Sequence, residues 1–265
     1  MKEYFIALLI QLLSTIGIIA LGGFLIALCN KLFYANFGNK ATVVCYITGA
    51  LGTPVHELSH ALFCLIFGHK ITEIKLFQIN SEDGTLGYVQ HTYNRKNIYQ
   101  RIGNFFIGIA PIIVISSLLF LVAWALMPTT ISLMANNIGT LNLNAGIGIV
   151  FRVYFDTMGI YFDAITNYRW WIFILIGAFF ALHMNLSGAD IKGALSGMLF
   201  VLLIYFVVNA ILRIISINAL NTYTRAILIG GTFLSIFISL ALLINIVLLS
   251  ISLIYRVSTR KYHFK

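Results

Sequence analysis

Long charge-free apolar runs dominate this chain of 265 residues, at Tyr4–Cys29, Ile102–Met127, Gly193–Leu212 and Ala226–Tyr255. Hydrocarbon about 30 Å thick offers no water to backbone N–H and C=O groups, so runs of this length must satisfy themselves as helices. Two further segments are apolar but interrupted: Ala41–Phe67, broken only by one ionisable cluster, and the less regular Trp170–Ala189. Charged residues make up 9% of the chain and the mean hydropathy is +0.95. A soluble domain carries about a quarter charged residues, so that class is excluded. The expected fold is an all-α polytopic membrane protein, one integral membrane domain over residues 1–265. It has about six transmembrane helices, near residues 4–29, 42–67, 102–127, 170–189, 193–216 and 226–255. The first run has no small-residue cleavage signature and exceeds a signal-peptide core, so it reads as an uncleaved span.

The formal net charge of +9 does not point to nucleic acid, because the Lys and Arg residues are scattered over loops without a clustered basic face. With six spans, one side collects Lys2, Lys70, Lys75, Arg95, Lys96, Arg101, Lys192, Arg256, Arg260, Lys261 and Lys265. The other side holds Lys31, Lys40, Arg152, Arg169, Arg213 and Arg225. The positive-inside rule then expects a multi-pass cell-membrane protein with both termini cytoplasmic. Cys29, Cys45 and Cys64 sit in or beside apolar spans at spacings of neither a disulfide framework nor a zinc ribbon, and read as packing residues.

The ionisable cluster in the second span is His56-Glu57-Leu58-Ser59-His60. Histidines four apart on a helix share a face and can grip one zinc ion, and the glutamate after the first can take a proton from a zinc-bound water. Ionisable groups in hydrocarbon are expensive and mark function. Gly68 follows where a helix cap is expected. Lys70–Asn80 and Thr85–Tyr93 then read as two strands around a turn at Ser81–Gly84, giving a cytoplasmic β-hairpin over about 70–93. A free hairpin edge can accept an extended peptide, although an ordinary polar connection fits the same residues. Residues 128–169 read as an extracytoplasmic loop. In it Tyr154-Phe155-Asp156 and Tyr161-Phe162-Asp163 repeat seven apart, which suits an interfacial helix with a solvated acidic face.

A second polar cluster, His183 to Gly193, interrupts the later apolar run. Irregular backbone at membrane depth is tolerated only inside protein or along a wet cavity. Catalytic zinc takes three protein ligands and a water, and both His183 and Asp190 are available as the third.

With a zinc helix, a β-segment and a buried downstream aspartate in this order, the chain resembles the site-2 protease family of intramembrane zinc metalloproteases, over roughly Gly52 to Gly193. His56, Glu57 and His60 match the family's HExxH element, and Gly108-Ile109-Ala110-Pro111 loosely echoes its Gly-Pro pattern. Asn185, Asp190 and Gly193 stand where the family's Asn-Pro…Leu-Asp-Gly motif is expected. The resemblance implies Asp190 as third zinc ligand and Asn185 as a hydrogen-bond donor to substrate or oxyanion. The chain departs from the pattern at Ser59, where glycine is usual, and at Ile191, where glycine follows the aspartate; it also lacks a proline between Asn185 and Asp190.

The expected activity is therefore that of a zinc endopeptidase, with one Zn2+ on His56, His60 and Asp190, Glu57 as base, and an unwound transmembrane segment of another membrane protein as substrate. The competing class is a non-enzymatic metal-ion carrier or helix-binding relative. Glu57 favours hydrolysis, since a carrier has no need of a base beside its ligand.

Overall fold

A computed structural model describes residues 2–81, 84–143 and 146–261, so Glu82 and Asp83 of the expected turn lie outside the described residues. Helix α1 (Lys2–Leu12) passes through a π-helical turn at Leu13–Gly17 into α2 (Ile18–Ala35), and α3 (Ala41–Ile66) carries the HExxH motif. Strands β1 (Lys70–Lys75) and β2 (Tyr88–Thr92) follow, then α4 (Ile98–Leu126), α5 (Pro128–Gly139) and α6 (Ile147–Asp163). The chain finishes with α7 (Tyr168–Ala181), α8 (Gly188–Ile215) and α9 (Ile217–Lys261).

Four helical stretches are long and apolar enough to cross a membrane, Lys2–Ala35, Ile98–Leu126, Gly188–Ile215 and Ile217–Thr259. A fifth arises if Ile147–Thr166 and Tyr168–Ala181, bent by 112°, form one broken span. These helices are consistent with a multi-pass membrane protein, in a count of four or five where six were expected. The difference has two sources. α7 ends at Ala181 after 14 residues, about 21 Å of rise, too short to cross alone. α3 has the length, but it is not among the qualifying helices; its apolar run is diluted by threonine, serine, histidine and glutamate.

The chain divides into two compact units. The first comprises Met1–Leu21, Ser116–Leu175 and Leu199–Ser239. Its interior holds a closed polar network: Gln11 Nε2 donates to Asn209 Oδ1 and Thr224 Oγ1, both at 2.8 Å, and Asn209 Nδ2 donates to Gln11 Oε1 at 2.7 Å. Thr224 Oγ1 passes its own proton to Leu220 O. Gly231 allows the backbone of Ser14 to come so close that a Cβ there would lie 2.1 Å from Ser14 O, the small-residue contact expected between apolar helices. On α6, Tyr161 is fully buried against Trp170 and Phe173, while Asp156 and Asp163 are exposed.

The second unit comprises Gly22–Ile115, Ile176–Met198 and Leu240–Lys265. β1 and β2 pair antiparallel, with Lys70 opposite Thr92, Ile71 opposite His91 and Lys75 opposite Tyr88, and a bulge between Ile71 and Glu73. The regular strands are shorter than the sequence suggested, but Gln78 N donates to Leu86 O at 2.7 Å beyond them. Two glycines bring α4 and α8 into backbone contact. A Cβ on Gly108 would fall 2.4 Å from Asp190 O, and one on Gly197 would fall 2.5 Å from Phe105 N. This close approach fixes where the start of α8, with Asp190, lies beside α4.

Candidate metal centre

His56, Glu57 and His60 occupy consecutive turns of α3, where four-residue spacing puts both imidazoles on one face. Glu57 and His60 are buried, at 7% and 6% exposure. His56 Nδ1 donates to the carbonyl of His183 at 2.8 Å and His60 Nδ1 to the carbonyl of Ile107 at 2.7 Å. A carbonyl can only accept, so each Nδ1 carries a proton. In the neutral rings both Nε2 atoms are then bare lone pairs, and they face each other at 3.2 Å. Two acceptors at that distance are stable only with positive charge between or beside them.

Asp190 closes the group. Its Oδ1 lies 3.2 Å from His60 Nε2 and its Oδ2 3.8 Å from His56 Nε2. One ligand atom from each of the three residues lies within 4.8 Å of the other two. The carboxylate is oriented by its own helix: Ser187 N donates to Asp190 Oδ2 at 2.7 Å and Asp190 N to Ser187 Oγ at 3.1 Å. This is a capping box at the start of α8. The Ser-x-x-Asp signal stands openly in the sequence and would have located the start of α8.

His183 is placed differently. Its carbonyl serves His56, while its ring Nδ1 lies 3.5 Å from Thr53 Oγ1 and its buried Nε2 meets no partner among the described residues. Gly52 makes room for this ring, since a Cβ at that position would fall 2.3 Å from His183 Cδ2. Asn185 sits in the irregular stretch between α7 and α8 and lines a cavity of about 370 Å³ with Thr53, His56, Glu57, Gly87 and Ser187. Gly87 brings the hairpin backbone directly over Glu57; a Cβ there would lie 2.8 Å from Glu57 Cγ. Sequence reasoning identified His56, Glu57, His60 and the alternatives at 183 and 190. It missed Gly52 and Gly87, whose value lies in contacts with distant segments.

Two imidazoles and a carboxylate, with their remaining ring nitrogens tied to backbone oxygens, fit a zinc ion of the catalytic type, and the orienting bonds are those that metal-binding histidines usually make. Long apolar helices and an HExxH helix of this geometry are consistent with a membrane metallopeptidase. Residues 49–148 match the model of a family described as "Putative zincin peptidase". Zincins are the HExxH zinc peptidases, so the match implies zinc; it spans the motif, the hairpin and α4 and stops short of Asp190. No curated protein and no solved structure matches the chain.

Proposed function

We propose that the protein is an intramembrane zinc endopeptidase, similar to site-2 proteases, that cleaves a locally unwound transmembrane segment of another membrane protein. The observation that carries this reading is the convergence of two imidazole Nε2 atoms and one carboxylate beside Glu57 at a cavity. His56, His60 and Asp190 would hold the ion. Bound zinc supplies a Lewis acid for the scissile carbonyl and brings the pKa of a coordinated water close to neutrality. Glu57 takes the proton of the attacking water and returns it to the leaving amine nitrogen. Asn185, from the irregular stretch facing the cavity, donates a hydrogen bond to the oxygen on which charge develops.

A helical substrate keeps its carbonyls engaged in its own hydrogen bonds, so it must unwind before a peptide bond can enter. The two-stranded hairpin has outer edges on which an extended strand could add near Glu57. With α3 and the bent α6–α7 pair each counted as a crossing, giving six spans, the basic-residue asymmetry supports a cell-membrane placement with both termini in the cytoplasm. The test is proteolysis by the detergent-purified full chain against a panel of single-span substrates, with and without a zinc chelator and with Glu57→Gln as control. Chelator-sensitive cleavage absent from Glu57→Gln is the expected result; cleavage indifferent to both sinks the reading.

A further inference from the structure

The end of α3 builds a second cluster from residues the first does not use. Gly68 takes φ +68°, Gly68 N donates to Leu65 O at 3.2 Å and His69 N to Cys64 O at 2.8 Å. These are the paired bonds of a Schellman turn, which bring together the side chains at its two ends, usually an apolar pair. Here the ends are Cys64, with no exposed surface, and His69, 4% exposed. His69 Nε2 donates to the carbonyl of Gln100 at 2.8 Å, so its Nδ1 is a lone pair. On β2, His91 directs its Nδ1 to 3.0 Å from that lone pair. A ligand atom from each of Cys64, His69 and His91 lies within 4.8 Å of the other two.

The surroundings hold these groups in place. Gln100 donates through Nε2 to Gly68 O at 2.7 Å and accepts from Asn94 N at 2.6 Å, joining the turn, the end of the hairpin and the start of α4. The ring of Tyr93 stacks on His69, with centroids 5.0 Å apart. Burial lowers the pKa of both histidines, and for His91 the neighbouring His69 lowers it further.

We propose that Cys64, His69 and His91 form a second metal site, for a borderline divalent ion such as zinc, that fastens the hairpin to the end of the motif helix. A thiolate and two imidazoles select this class over magnesium or calcium, which prefer oxygen. The Cys64 thiol gives up its proton to solvent as the ion binds. Through β2 the ion would steady the segment that carries Gly87 over Glu57. The site stands on its own geometry and does not depend on the peptidase reading. Its competitor is a metal-free pair in which His91 Nδ1 donates to His69 Nδ1.

The test uses the detergent-purified full chain, stripped of metal and titrated with Co2+. Thiolate-to-cobalt charge transfer absorbs in the near ultraviolet, and the histidine and aspartate cluster has no sulfur to produce it. The expected result is a charge-transfer band that saturates at one cobalt per chain and persists in a His56→Ala, His60→Ala double variant. The band should be absent in Cys64→Ser, and its cobalt affinity should fall on the order of tenfold or more in His91→Gln. His91 is only partly buried on a hairpin strand, so His91→Gln is the variant to trust if Cys64→Ser loses helix content. A wild-type chain without the band, a band that survives Cys64→Ser, or an unchanged affinity in folded His91→Gln overturns the proposal.

Discussion

One buried polar cluster in each unit is built in the opposite way to the other. In the first, every donor around Gln11 finds an acceptor: amide meets amide at Asn209, and the Thr224 hydroxyl both accepts from Gln11 and donates onward to Leu220 O. In the second, acceptors meet acceptors. The Nε2 atoms of His56 and His60 face each other and the carboxylate of Asp190 joins them, with both Nδ1 protons committed elsewhere. A closed network holds helices together, whereas a set of converging lone pairs is complete only with something positive added. Polarity inside an apolar chain therefore points to a site where several potential ligand atoms converge on one spot.

That contrast can be broken by experiment. The largest effect is expected at Glu57→Gln, which removes the base and keeps the shape. Cleavage should fall by about 10²–10⁴-fold while metal content and thermal stability hold. Loss of folding in parallel with loss of cleavage would instead make Glu57 a structural residue. Next, Asp190→Asn and His60→Ala should each lose one zinc per chain, measured by metal analysis in a Cys64→Ser background that lacks the second site, while His183→Ala retains it. If His183→Ala loses the ion and Asp190→Asn keeps it with normal activity, the roles at these two positions are reversed.

Smaller effects concern packing. Gly52→Ala drives a methyl into the ring of His183 and towards Phe179 O, and should cost about 1–3 kcal/mol in thermal unfolding, with weaker zinc binding because the carbonyl of His183 shifts. The smallest change is expected in the first unit. Gln11→Leu opens the closed network and should lower stability by about 1 kcal/mol, with zinc content and cleavage unchanged. A Gln11→Leu variant that unfolds normally but loses zinc would erase the distinction between the units.

Much of this was legible in the chain. The HExxH pentapeptide, the hairpin after Gly68, the acidic face of α6 and the two candidates for a third ligand all follow from local pattern, because helix spacing and turn chemistry act within a few residues. What stayed hidden depends on distant segments meeting. Nothing local says that Gly108 touches the backbone of Asp190, or that Gly87 passes over Glu57. Cys64 read as a packing residue because its partners, His69 and His91, assemble only when the Schellman turn and the β-register are both in place. The span count differed because the site residues themselves dilute α3 and because α7 is too short to cross alone.

Both motif histidines give their Nδ1 proton to a main-chain oxygen, at residues 107 and 183. The group that fixes each ring is thus independent of the side chain that happens to be there. In a saturation-mutagenesis map scored by zinc binding, folded variants with small replacements at these two positions would look permissive even though the rings depend on them. The dependence would surface one residue later, as intolerance to proline at Met184, because proline restricts the backbone of the residue before it and would turn the oxygen of residue 183 away from His56.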